Sequence, residues 1–169
     1  TNGSIVSPAT ANGVVGLKPT VGLTSRAGVI PISQSQDSIG PLARSVDDAA
    51  AVLTVLAGPD RRDPATSPAM VHDYVTYVDA DGLRGARIGV ATSLFGFSHH
   101  ADRVVTNAVE MMRGAGAIII EVPELTVESD LVRAQREILL HEFKSGLNSY
   151  LAGRAEGPPH TLADVIAFN

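Results

Sequence analysis

Gly3 followed by Ser4 is the pair best suited to covalent chemistry in this sequence. A glycine lets the backbone turn sharply, and the hydroxyl after it is left open to attack an acyl carbon. The same pair is also ordinary turn chemistry, so by itself it separates nothing. With no cysteine in the 169 residues, thiolate catalysis, disulfides and cysteine-zinc clusters drop out. Ser7, Ser33, Ser35 and Ser38 read as turn or strand residues making local hydrogen bonds. Asp37, within SQDSIG, suits either a cleft wall or the turn before Gly40-Pro41. The adjacent His99 and His100 point apart and read as solvated loop histidines, while His141-Glu142 lacks the second histidine of a zinc helix. Arg61, Arg62 and Asp63 read as a solvated loop face. Met111 and Met112 lie on a helical stretch where at least one is expected to fill a core.

The elements that must position these groups follow from patterning. Residues 1–40 are dense in Gly, Ser, Thr and Pro, with short β-branched runs at Val14–Val15 and Val29–Ile32, and predict turns and short strands. In SVDDAAAVLTVLAG, Ser45 with Asp48 forms a capping box, predicting a helix over Val46–Ala57 that Gly58 and Pro59 end. GARIGVAT and AGAIIIEV predict two buried strands joined by a helix over Asp102–Gly114, which is a parallel crossover unit. From about Glu128 to Ala152, Leu131, Ile138, Leu139, Phe143 and Leu147 recur at helical spacing, with a break expected near Gly146. The last residues, TLADVIAFN, open with a second capping box, Thr161 to Asp164.

A composition of 44% hydrophobic and 18% charged residues suits one compact domain or part of a larger one. The net charge of -5, without a basic stripe, argues against a nucleic-acid partner. No stretch reaches the roughly 18 consecutive apolar residues of a membrane span, so no membrane partner is expected. The chain opens on Thr1 rather than Met, and it is expected to be an internal piece of a longer one, cut at both ends.

The run TNGSIVSPATANGVVGLKPTVGLTSRAGVIP resembles the core of the amidase signature: Gly-Ser-Ile, then Pro-Ala, then Gly-Val-Val-Gly, then Leu-Lys-Pro-Thr. The likeness continues through SQDSIGPLARSVDDAA, and the SIVxPA start, the DPAT loop and the IAFN ending are similar to the peptide amidase branch of that family. The resemblance implies an α/β fold with a mixed sheet flanked by helices, incomplete in this chain and holding Ser4 near the sheet's centre. It implies that Ser4 is the nucleophile of a Ser-cisSer-Lys unit forming an acyl-enzyme. Backbone N–H groups of Thr1, Asn2 and Gly3 would form the oxyanion hole. The bridging serine and the lysine lie upstream in the family, and neither Lys18 nor Lys144 matches that lysine. Asn2 stands where many members have Gly, and Val6 where many have Arg. The chemistry implied needs no cofactor and no metal, and its substrate is a small-molecule or peptide amide.

Alternatives belong to other classes. The amidotransferase branch of the family passes ammonia to a charged tRNA through partner proteins. Thr1 at a free terminus could use its own α-amine as base, a second route to nucleophilic hydrolysis. A catalytically incomplete binding or scaffolding piece is the third, and for the isolated chain inactivity is the expectation.

Overall fold

A computed structural model of the chain describes residues 3–68, 70–125, 129–154 and 157–168. They form two compact units, Thr1–Tyr77 with Val132–Asn169, and Val78–Leu131.

In the first unit, α1 (Val6–Asn12) falls in a stretch predicted to hold only turns and short strands. Two β-branched residues, Ile5 and Val6, and a proline argue locally for extended chain. The proline is harmless, because Pro8 sits in the first turn, where its missing N–H has no helical partner. Gly13 ends α1 in the left-handed region at φ 63. Its N–H donates to the Thr10 carbonyl and that of Val14 to the Ala9 carbonyl, the paired closure that a glycine at this place permits. β1 (Val15–Gly16) then pairs antiparallel with β2 (Leu42–Ala43), with Val15 opposite Ala43 and Gly16 opposite Leu42.

α2 (Val46–Leu56) starts where its cap requires: the Ser45 hydroxyl accepts the Asp48 N–H at 3.1 Å. Ala49, Ala50 and Leu53 form its buried face. Ala57 turns extended and bridges Thr24, so the loop 20–40 is tied to the end of α2.

α4 (Ser129–Ala152), most of it in this unit, buries Gly146, Leu147 and Leu151 and runs through Gly146 without the expected break. The glycine is there for proximity: a Cβ at that position would lie 3.2 Å from Pro31 Cγ. α5 (Leu162–Phe168) begins with the expected box, in which Thr161 Oγ1 accepts the Asp164 N–H and Asp164 Oδ2 accepts the Thr161 N–H.

The second unit is the predicted crossover, but its two strands are half-exposed rather than buried. β3 (Arg87–Ala91) and β4 (Ile118–Val122) pair parallel, from Arg87 opposite Ile118 to Ala91 opposite Val122. α3 (His99–Gly114) connects them, and its cap is Ser98, whose hydroxyl accepts the Ala101 N–H. His99 and His100 are therefore the first residues of a helix rather than part of a loop. Met112 helps line an apolar cavity of about 460 Å³ with Ile88, Val90 and Val109, while Met111 is exposed.

The α/β class expected from the sequence holds. Both parallel and antiparallel pairing occur, among the described residues as two separate two-stranded sheets. Among the described residues no helix is long and apolar enough to cross a membrane.

Candidate active site

Ser4 occupies the turn that leads into α1, and its side chain is exposed. The turn is closed by the Gly3 carbonyl, which accepts the Ser7 N–H at 2.8 Å, and by the Ile5 carbonyl, which accepts the Ala9 N–H at 3.1 Å. Directly after the exposed serine, Ile5 is 6% exposed and anchors the turn in the core. Burying one such side chain is worth about 2 kcal/mol, enough to hold a short turn that local propensity disfavours. Thr1 and Asn2, the other two expected oxyanion-hole donors, lie outside the described residues.

Two glycines press on the anchor. A Cβ at Gly16 would fall 2.6 Å from Ala9 Cβ and 3.1 Å from the Ile5 carbonyl oxygen. One at Gly40 would fall 2.0 Å from the Leu17 carbonyl oxygen and 3.0 Å from Ile5 Cδ1. The Leu17 N–H in turn donates to the Pro41 carbonyl at 3.1 Å, extending the β1–β2 pairing to the segment that carries Gly40. Lys18 is exposed, its ammonium donating to the Pro19 carbonyl at 3.1 Å.

Beyond the signature, a chain segment from Arg26 to Asp37 is held by three carboxylates. Asp37 forms the local turn, accepting the Ile32 and Ser33 N–H groups, each at 2.9 Å. Glu142, on α4, accepts the Ser33 hydroxyl at 2.5 Å and both the N–H and hydroxyl of Ser35. The Ser33 hydroxyl, with the Ser35 contacts, keeps the Glu142 carboxyl below its ordinary range. Asp63 accepts from Arg26 at Nε, Nη2 and the backbone N–H.

This last pair corrects the expected solvated loop face. Arg61 and Arg62 are exposed, but Asp63 is buried at 5%, and the guanidinium of Arg26 brings its carboxyl down to about 2. Asp60, gripped by Arg62 and Ser25, is also held well below its usual value. Thr66, fully buried, accepts the Asp60 N–H at 2.7 Å and donates to the Asp63 carbonyl at 2.8 Å, which shapes the DPAT loop. Ser33 likewise proves to be more than a local turn residue, since its partner Glu142 is 109 positions away.

Arg26 was not singled out by sequence reasoning, and Glu142 was weighed only beside His141 as part of a zinc helix. One signal was available: Arg26 and Asp37 are the only charges between Lys18 and Arg44, and a lone charge in an otherwise uncharged stretch usually needs a partner. The segment and the DPAT loop enclose a cleft of about 530 Å³, bounded by Arg26, Gln34, Asp37, Asp63, Gly146 and Tyr150.

A family model described as Amidase matches residues 1–167, and the chain belongs to that family. A probable amidase of Arabidopsis thaliana is 42% identical over 177 aligned residues, which take in all of this chain and 33% of that protein. The X-ray structure of native peptide amidase from Stenotrophomonas maltophilia superposes with a TM-score of 0.87 at 49% identity, covering 99% of this chain and 34% of that one. A glutamyl-tRNA(Gln) amidotransferase component from Salinibacter ruber is 44% identical over 124 residues, 72% of this chain and 24% of that protein. The chain thus spans about a third of the length of the amidases it matches.

Proposed function

We propose that the protein carrying this chain is a serine amidase whose nucleophile is Ser4, acting on carboxamides and in particular on the C-terminal amides of peptides. The observation that carries the reading is an exposed serine on a tight turn whose next residue, Ile5, is locked in the core. A nucleophile needs that combination: an accessible hydroxyl on a backbone that does not move. Likeness to a solved peptide amidase at 49% identity supports the substrate class.

In this mechanism Ser4 Oγ forms an ester bond to the acyl carbon while the carbon–nitrogen bond breaks. The serine proton passes through a bridging serine to a neutral lysine and then to the leaving nitrogen, which departs as ammonia or an amine. Water cleaves the ester and regenerates the hydroxyl. The N–H groups of Thr1, Asn2 and Gly3 stabilise the oxyanion. This chain supplies nucleophile and oxyanion hole, as an internal stretch of one amidase-signature domain. On the family resemblance, the bridging serine and the lysine come from elsewhere in the protein; Lys18, engaged with Pro19, and Lys144 are both solvated. The 169 residues alone should therefore show no turnover.

The test is ammonia release from a peptide amide by the intact protein, together with fluorophosphonate labelling of Ser4. Turnover with Ser4 unlabelled would end the proposal. Identity of 44% with the amidotransferase component over 72% of the chain favours a second reading, a glutaminase feeding a partner. Ammonia release that requires an added partner protein would select it.

A further inference from the structure

We infer that Gly16 and Gly40 are positioning residues for the reaction: by leaving no room between β1, the 38–41 segment and Ile5, they fix the backbone from which Ser4 projects. The inference rests on Ser4 being the nucleophile and names what sets its place. At Gly40 the tightest neighbour is backbone, and at Gly16 it is Ala9 Cβ. Each glycine faces a main-chain oxygen that a methyl group would invade, the Ile5 carbonyl at 3.1 Å from a Cβ at Gly16 and the Leu17 carbonyl at 2.0 Å from one at Gly40. Real Cβ atoms do not approach other atoms below about 3 Å, so a side chain at Gly40 displaces main chain, and one at Gly16 displaces Ala9 Cβ, which has no rotamer and moves only with its backbone. From Gly16 the displaced groups are Ala9 and Ile5, which bracket the first turn of α1; from Gly40, Ile5 is reached through Cδ1 at 3.0 Å.

Because Ile5 is bonded to Ser4, a shift there moves the attacking oxygen and with it the neighbouring Gly3 N–H of the proposed oxyanion hole, and both act on the transition state. The effect therefore falls on kcat. A displacement of about 1 Å at a reacting atom costs on the order of a hundredfold in rate.

The experiment uses the intact protein and three variants. Gly16→Ala is expected to lower kcat about 30-fold or more, with KM within about threefold, and to slow fluorophosphonate labelling of Ser4 in the same proportion. Ala9→Gly added to it removes the worst collision, at 2.6 Å, and should return kcat to within about fivefold of the unsubstituted protein. A folded Gly16→Ala protein with unchanged kcat, or a loss that Ala9→Gly does not relieve, overturns the inference. Should Gly16→Ala fail to fold, Ile5→Val decides: loosening the anchor should reduce kcat and labelling rate together by about fivefold with KM unchanged, and no change would overturn the inference. Failure of the nucleophile reading itself looks different, because Ser4 then stays unlabelled or Ser4→Ala stays active whatever the glycine variants do.

Discussion

Arg26 and Asp63, 37 positions apart, meet through both carboxylate oxygens, with Nη2 to Oδ1 at 2.6 Å and Nε to Oδ2 at 2.8 Å, and with side chains only 16% and 7% exposed. The backbone N–H of Arg26 adds a further bond to Oδ2 at 2.9 Å, and the Asp63 carboxylate also caps the short helical turn at Pro64–Thr66. One carboxylate thereby ties the segment after the signature to the DPAT loop. Such forked, shielded pairs are geometrically demanding, and losing one partner strands the other.

Asp63→Asn should destabilise the intact protein by about 2 kcal/mol near neutral pH, less than for a fully buried pair because Arg26 keeps some solvent. The carboxyl titrates near 2 in the folded state, below the unfolded value of about 3.9. Its stabilisation is therefore complete above pH 4 and is lost as pH falls toward 2. Melting curves of wild type and variant should converge over that window; a gap that stays constant would refute the assignment.

Ser4→Ala should cut kcat/KM by at least about 10⁴ and abolish fluorophosphonate labelling, while stability changes by no more than about 0.5 kcal/mol because the side chain is exposed. Steady-state kinetics beside a thermal melt separates chemistry from folding.

Glu142→Ala removes the acceptor of two hydroxyls and one backbone N–H and should cost about 2 kcal/mol. Amide exchange at Ser35 should quicken more than at residues of α2. Unchanged protection at Ser35 would contradict the assigned partnership.

Gly22 and Gly28 form an internal control. Both have positive φ, 85 and 83, but a Cβ at Gly22 would lie 2.4 Å from the Ala65 carbonyl oxygen, whereas one at Gly28 meets nothing within 4 Å. Gly28→Ala should cost about 1 kcal/mol for its backbone alone, and Gly22→Ala about 3 kcal/mol. Chemical denaturation that finds the two equal would show that the loop around Ala65 yields.

What could be read in advance was what neighbours in sequence determine. Ser45 with Asp48 and Thr161 with Asp164 announced α2 and α5, and the β-branched runs around Ile88 and Ile119 announced a parallel pair. α1 was hidden because Ile5, Val6 and Pro8 vote locally for extended chain, while the forces that bend it, Ile5 burial and the Gly16 contact, come from later residues. Ser4 stood out through resemblance rather than through its own chemistry. Asp63 and Ser33 were misjudged for a single reason: their partners, Arg26 and Glu142, cannot be inferred from spacing.

The 109-residue separation between Ser33 and Glu142 also sets an order of events during synthesis. The two glycines that press on Ile5, Gly16 and Gly40, lie close to it in sequence, so their contacts need not wait for α4. The Ser33 contact must wait until α4 has left the ribosome, about 5 to 20 s later at ordinary elongation rates. In that interval the segment from Arg26 to Asp37 is short of one of its three clamps.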